Sequence, residues 1–369
     1  MSAFPAAELS TPDLLTVETI ERVLADLWRD IGDARGESAM QVRMLNLLVF
    51  LPAPPPPPIR IAINAVAVQY PGRTVLVAPD DGPPRAEATI ACRVAEGSQQ
   101  ACGEQIVLAG TVDGRPLYSL AISLLLPGLP VSMWWYGPID FDGQIFARFA
   151  KVADQLVFDT RTWPEPLAGL MRLRREMAAH APNVRFSDLL WLELMSWRRS
   201  IAAAFDLPAG PEMLTHLDRV ALVCGSSDAS LAAGLLLAGW LASRLDWELV
   251  EASIGVEPGE ITLRRRGRRT GQAGEVHLTL RRDGVDEGVT AVEMRAADGS
   301  GCSFRSTANG VETRVERPGH APLTRAAHLR RRSVAALLGE ELAINAADRV
   351  YAGALALAAR LAEHAGTKG

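Results

Sequence analysis

LLLPGLPVSMWWYGP, residues Leu124 to Pro138, is the densest apolar and aromatic run of the chain. Pro127 and Pro130 fix φ and exclude a helix interior, and Gly137-Pro138 closes the run with a turn, so VSMWWY reads as a short strand. Alternate residues of a strand point to opposite faces. Val131, Met133 and Trp135 therefore share one face, and Ser132, Trp134 and Tyr136 the other. Two readings follow. In one, this is a central strand covered by helices on both faces, where each indole fills core volume. In the other, one indole lines a groove at the strand's end, where Gly137 lets a ligand or partner approach.

Outward from this strand, helical and strand periods alternate. Residues 16–31 carry Val17, Ile20, Val23, Leu24 and Leu27 at helical spacing. The run 44–51 (MLNLLVFL) reads as a buried strand, and the polyproline tract 52–58 as a stiff connector. A helix over 59–68 and a strand over 74–78 follow. Residues 86–94 and 104–112 form a hairpin pattern, and a helix over 117–126 feeds the Trp-Trp strand. Residues 146–154 and 156–159 repeat helix then strand. Helices are expected over 165–179 and, from Leu190, Leu194, Trp197, Ile201 and Phe205, over 190–205. The fold class is α/β: a mixed sheet layered with helices over residues 1–207, bounded by the DLPAG turn at 206–210. Residues 208–369 read as an α+β domain. It begins with a βαβ unit (strand 219–223, helix to about 245, strand 248–254), continues as an antiparallel meander over 261–315, and ends in helices over 333–342 and 347–364.

The length of 369 residues suits two domains, and 48% apolar with 22% charged residues is a globular composition. A net charge of −5 argues against nucleic acid as the main partner. The N-terminus has no basic n-region followed by an apolar h-region, and the longest apolar run, 231–242, is too short to span a bilayer. A cytoplasmic protein with no membrane partner is expected. Cys92, Cys102, Cys224 and Cys302 have no C-x-x-C spacing and are expected as reduced thiols. A regulatory disulfide between Cys92 and Cys102, which flank the hairpin loop, is the alternative.

Catalytic constellations are missing. The loop Cys224 to Asp228 precedes a helix, so Ser226, Ser227 and Asp228 are either helix caps or a possible anion site, without G-x-G-x-x-G or a Walker lysine. His180, His216, His277, His320, His328 and His364 have no metal-ligand spacing, and no G-x-S-x-G is present. No catalytic residue, metal or cofactor is assigned. Arg264, Arg265, Arg266, Arg268 and Arg269, with Arg330, Arg331 and Arg332, form basic clusters that read as a solvated face or as a contact for an acidic partner.

Several pieces in order resemble the glucose-6-phosphate dehydrogenase assembly protein family, OpcA. They are Val42-Arg43-Met44-Leu45-Asn46-Leu47, Tyr70-Pro71-Gly72-Arg73, Cys102-Gly103-Glu104-Gln105-Ile106, the LLLPGLPVSMWW run, Asp188-Leu189-Leu190-Trp191 with Leu194 and Trp197-Arg198, and Ala238 to Leu245 (AGWLASRL). The chain departs from the family's usual H-P-S-R at Tyr70 and Gly72, from L-P-D-L-P at Gly128, and from W-x-R-L at Glu193. The resemblance implies a non-catalytic partner of glucose-6-phosphate dehydrogenase that promotes its assembly or active form. For such a partner, Trp134, Tyr136 and Arg198 are the expected anchors and Arg264 to Arg266 the steering face. The alternative is a sugar-phosphate or nucleotide binder or enzyme using the Ser226 to Asp228 helix start.

Overall fold

The computed structural model describes residues 2–3, 7–9, 15–35, 39–52, 56–94, 100–110, 115–180, 182–207, 210–255, 257–266, 273–284, 287–308, 310–328, 332–343 and 348–365. In chain order the elements are β1 (Ser2–Ala3), β2 (Ala7–Leu9), α1 (Val17–Arg35), β3 (Ala39–Gln41), β4 (Asn46–Phe50), α2 (Pro57–Gln69), β5 (Arg73–Pro79), β6 (Arg85–Val94), β7 (Gln100–Gly110), α3 (Arg115–Ser123), β8 (Val131–Trp135), α4 (Gln144–Phe149), β9 (Gln155–Phe158), α5 (Pro166–His180) and β10 (Arg185–Asp188). They continue with α6 (Leu189–Glu193), α7 (Met195–Phe205), α8 (Gly210–His216), β11 (Leu217–Cys224), α9 (Asp228–Leu245), β12 (Trp247–Ser253), β13 (Gly259–Arg265), β14 (Gly274–Arg282), β15 (Val289–Ala296), β16 (Gly301–Thr307), β17 (Gly310–Glu316), β18 (Leu323–His328), α10 (Val334–Ala343) and α11 (Arg349–Ala365).

Two compact units emerge, and they interleave along the chain. The first comprises Met1–Asp159, His180–Leu189 and Arg332–Ala346; the second comprises Thr160–Ala179, Leu190–Arg331 and Ala347–Gly369. The division thus differs from one boundary at residue 207, because β10 and α10 return to the first unit and α5 through α7 belong to the second.

The first unit is built on a ten-stranded mixed sheet whose main path runs β1-β6-β7-β5-β4-β8-β9-β10. From β7 to β10 every neighbouring pair is parallel, and β6 adds antiparallel to β7. All five residues of β4 and of β8 are buried, on both faces of the sheet. This is the pattern of parallel strands covered on both sides. It settles the reading of VSMWW as a central strand. Strand order reverses between β4 and β8, so the sheet is doubly wound with its topological switch point at the ends of these two strands.

Asn46, fully buried at the start of β4, shapes the turn before β8. Its Nδ2 donates to Leu126 O at 2.9 Å, and its Oδ1 accepts from Leu126 N at 2.8 Å. Gly128 in that turn has φ +77°, a conformation that strains any residue with a Cβ. A second buried group joins α1 to the sheet. Arg73 donates to Glu104 Oε2 at 2.6 Å and to Leu124 O at 2.8 Å, and it is paired with Glu21 of α1. Trp28 Nε1 and Gln41 Nε2 donate to the other oxygen of Glu104. Gly72 lies so close to the residue before β4 that a Cβ there would collide with Leu45 O.

The second unit is an eight-stranded sheet of order β12-β13-β14-β11-β15-β16-β17-β18. β11 is parallel to β14 and antiparallel to β15, and the remaining pairs are antiparallel. β11 and β12 are the parallel strands of the expected βαβ unit, but β13 and β14 lie between them. The region 301–315 is a hairpin, β16 and β17, and β18 extends it. The 190–205 helix is broken at Leu194 into α6 and α7. Helix α9 is apolar all round and buried over most of its length, with α11 packed along it. Such a helix belongs to a core. No helix among the described residues is long and apolar enough to cross a membrane.

Candidate functional site

In a doubly wound sheet, ligands bind in the crevice beyond the carboxyl ends of the strands at the switch point, and a dinucleotide phosphate sits on the free N–H groups of the helix that follows the first strand. Here that helix is α2, and it starts with Pro57 and Pro58 after an N-cap at Pro56. Prolines carry no N–H. The first N–H groups available, those of Ile59 and Arg60, both point to Pro56 O, at 2.9 and 3.4 Å. The first turn of α2 therefore presents no free donor to an anion.

Aromatic side chains occupy the neighbouring space. Phe50, the last residue of β4, packs on Trp135, the last of β8, with ring centroids 4.3 Å apart. Tyr118 and Phe149 meet edge to face at 5.6 Å, and both lie near Phe50. Trp135 Nε1 is satisfied by Pro138 O at 3.0 Å. Gly137, at φ +91°, faces the Pro52 ring.

The residues expected as partner anchors are spread over both units. Trp134 is 1% exposed and its Nε1 has no hydrogen-bond partner; it belongs to the core, and its burial removes it from the surface anchors. Tyr136 is half-buried and lies edge to face on Trp134 at 6.3 Å. Burial, and then the nearby charge of Asp159, holds its phenol above the ordinary tyrosine range. Arg198 stacks over the Trp191 ring at 3.6 Å and donates to Trp191 O at 3.1 Å, while Trp191 Nε1 donates to Asp348 at 2.6 Å. Arg198 thus braces α7 against α6, a structural role that its sequence position does not reveal. Glu193, the family departure, forms an ion pair with Arg161.

The arginine run does not form one face. Arg264 is exposed, Arg266 pairs with Glu248, and Arg265 is 7% exposed with its guanidinium donating to Thr215 O. Alternation along β13 sends Arg265 inward. Arg268, Arg269, Arg330 and Arg331 lie outside the described residues.

The Ser226 to Asp228 loop is internally engaged. Ser227 is the N-cap of α9, accepting from Ser230 N at 3.1 Å. Asp228 pairs with Arg282 at 2.6 Å, which places a carboxylate at the positive end of the helix, where it opposes a second anion. Ser226 remains exposed. The loop is a helix cap.

Cys92 and Cys102 are disulfide-bonded across β6 and β7, where they are register partners. This corrects the expectation of four reduced thiols. Cys224 and Cys302 are free and buried, and burial pushes their thiols up to about 11 and about 12. Among the described residues, no group of three His, Cys, Asp or Glu side chains is placed to hold a metal ion.

The polar groups missed in the sequence are buried. Besides Arg73 and Glu104, a network links Gln155 of β9 to Ser187 of β10 at 3.1 Å and to Glu341 of α10 at 3.0 Å. Asn46 had a visible signal, a lone amide inside the apolar run MLNLLVFL.

Comparison with known proteins gives the family. Residues 63–175 match the glucose-6-phosphate dehydrogenase subunit N-terminal domain, and residues 184–355 match the C-terminal domain of the same subunit. The OxPP cycle protein OpcA of Nostoc punctiforme is 31% identical over 212 residues, covering 56% of this chain and 44% of that protein. Its counterpart in Synechococcus elongatus is 31% identical over 213 residues, covering 56% and 46%. The matched stretch spans under half the length of these curated relatives. Among solved structures, biliverdin reductase from Synechocystis aligns over 87% of this chain and 99% of its own, at 8% identity and a TM-score of 0.46. With both domain families matched in order across most of its length, the chain belongs to the OpcA family, whose two domains are described as those of a glucose-6-phosphate dehydrogenase subunit.

Proposed function

We propose that this protein is a non-catalytic, cytoplasmic partner of glucose-6-phosphate dehydrogenase that binds the enzyme and favours its active form. The observation that carries the reading is the proline start of α2. It leaves a doubly wound sheet without N–H donors at the position where a dinucleotide phosphate would sit. The aromatic contacts between Phe50, Tyr118, Trp135 and Phe149 support the same conclusion.

Activation without chemistry requires differential affinity, since a partner that binds both forms of an enzyme equally shifts nothing. Tyr136 and the exposed Arg264 remain the candidate contacts, Tyr136 as an anchor and Arg264 for steering. The test is calorimetric titration of the purified chain. Saturable heat is expected with the dehydrogenase, and none with NADP+ or glucose 6-phosphate alone. Binding of either small molecule at micromolar affinity, with none of the enzyme, contradicts the proposal.

A further inference from the structure

Strand β17 ends in a tight turn of fixed shape. Pro318 presets φ, Gly319 has φ +74°, and His320 N donates to Arg317 O at 3.1 Å, the pattern of a type II turn. The turn between β15 and β16 lies against it, since a Cβ on Gly299 would stand 3.5 Å from the Pro318 ring. Helix α7 packs on β17, and Ala297 N donates to His216 O at 2.9 Å, which ties the end of α8 to the end of β15. These two turns and two helices, all within the second unit, frame a cavity of about 320 Å³. That volume is in the range of small-ligand sites.

The floor of the cavity is apolar. It is made by Leu207, Met213, Val315 and Leu323, the last two being register partners on β17 and β18. A narrower chamber of about 180 Å³ shares Leu207, Val315 and Leu323 with it and continues along α7 to Thr313. Ala203 and Ala204 line that chamber, and side chains this short leave its space open for an apolar group.

The mouth carries charges of both signs on different elements. Arg317 and His320 come from the turn after β17, Glu212 from α8, and Asp298 from the turn after β15. Glu316, the carboxylate next to Arg317 in sequence, is taken by Arg295 and Arg314. Among the described residues neither Arg317 nor Glu212 has an ion-pair partner. Asp298 Oδ1 accepts from Ser300 N at 2.8 Å and from Ser300 Oγ at 2.6 Å, and these bonds hold its carboxyl below the usual carboxylate range. It is a fixed anion.

We propose that this cavity binds a free α-amino acid with a large apolar side chain. Arg317 takes the carboxylate, Glu212 and Asp298 the ammonium group, and the side chain lies on Leu207, Val315 and Leu323 toward the inner chamber. The charge pattern selects a zwitterion, because a simple carboxylate leaves Glu212 and Asp298 unanswered and a simple amine leaves Arg317 unanswered. A sugar phosphate fits worse: its hydroxyls would be desolvated against an apolar floor, and its phosphate would face two carboxylates. Arginine and carboxylate match in geometry as well as in charge.

The experiment is calorimetric titration of the full chain with L-phenylalanine, beside 3-phenylpropanoate, 2-phenylethylamine and glycine, which lack in turn the ammonium, the carboxylate and the apolar body. Saturable binding of phenylalanine is expected, at least about tenfold tighter than that of either single-charge analogue, since a hydrogen-bonded charge is typically worth a factor of ten or more. Glycine is expected not to saturate. Arg317→Gln is expected to weaken phenylalanine and 3-phenylpropanoate and to spare 2-phenylethylamine, while Glu212→Gln does the reverse with the two analogues. Both positions are exposed, and circular dichroism checks that the variants fold. No saturation with phenylalanine up to about 10 mM, a concentration that detects even millimolar affinity, overturns the proposal. So do single-charge analogues that bind as tightly as phenylalanine, or an affinity that neither variant changes.

Discussion

Arg73 and Glu104 are register partners at the start of neighbouring parallel strands, and the guanidinium Nε donates to the carboxylate at 2.6 Å with the two side chains only 3% and 5% exposed. The pair is the hub at which α1, β5, β7 and the end of α3 meet, because Glu21, Trp28, Gln41 and Leu124 O complete its hydrogen bonds. Arg73 closes the stretch Tyr70 to Arg73, and Glu104 lies within Cys102 to Ile106.

Removing one partner of a buried ion pair leaves the other charge uncompensated, a loss of about 3–5 kcal/mol. Arg73→Met is therefore expected to lower the denaturant midpoint sharply, and the double variant Arg73→Met with Glu104→Leu to recover part of it. A single variant with unchanged stability would show that the hub contributes nothing.

Asn46→Ala removes both reciprocal bonds to Leu126 and leaves backbone groups of the 126–129 turn unpaired. The expected cost is about 2–3 kcal/mol, at about 1 for each hydrogen bond plus the desolvated groups. Gly128→Ala strains a residue at φ +77° and is expected to cost about 1–2 kcal/mol. Thermal melts of the two variants check the order.

The disulfide Cys92–Cys102 closes a loop of sequence separation 10. By the loop-entropy account its reduction destabilises the chain by about 2–3 kcal/mol. Urea unfolding with and without a strong reductant measures this, and Cys92→Ser should remove the difference. Cys224 and Cys302, held as neutral thiols by burial, are expected to resist alkylation at pH 8 until the chain unfolds.

How much of this was legible in the sequence depends on how each residue signals its surroundings. β4, β5 and β8 announce themselves as apolar runs between Pro and Gly, and the α/β class follows from the alternation of such runs with helices, whereas the doubly wound strand order is visible only in the structure. β10 was missed because Arg185-Phe186-Ser187-Asp188 is short and polar; its burial depends on Gln155 and Glu341, which are distant in sequence. β18 was missed for the opposite reason, since Leu323 to Ala326 are exposed and carry little apolar pattern. The apolar steps from Leu190 to Phe205 conceal the break at Leu194, because a short turn preserves the stripe. Trp134 and Trp135 are equally aromatic, and nothing in their order says that helices cover both faces of the strand. Arg198 reads as an exposed cation until Trp191 is found beneath it.

The central claim is that the chain acts on glucose-6-phosphate dehydrogenase by binding its active form. Its most direct test is to titrate the purified protein into the dehydrogenase at subsaturating substrate while following NADPH production and, by light scattering, the mass of the enzyme. The account predicts a saturable rise in rate that coincides with the appearance of a heavier complex. No complex and no change in rate at tens of micromolar, where an interaction worth about 6 kcal/mol would already be visible, would contradict it.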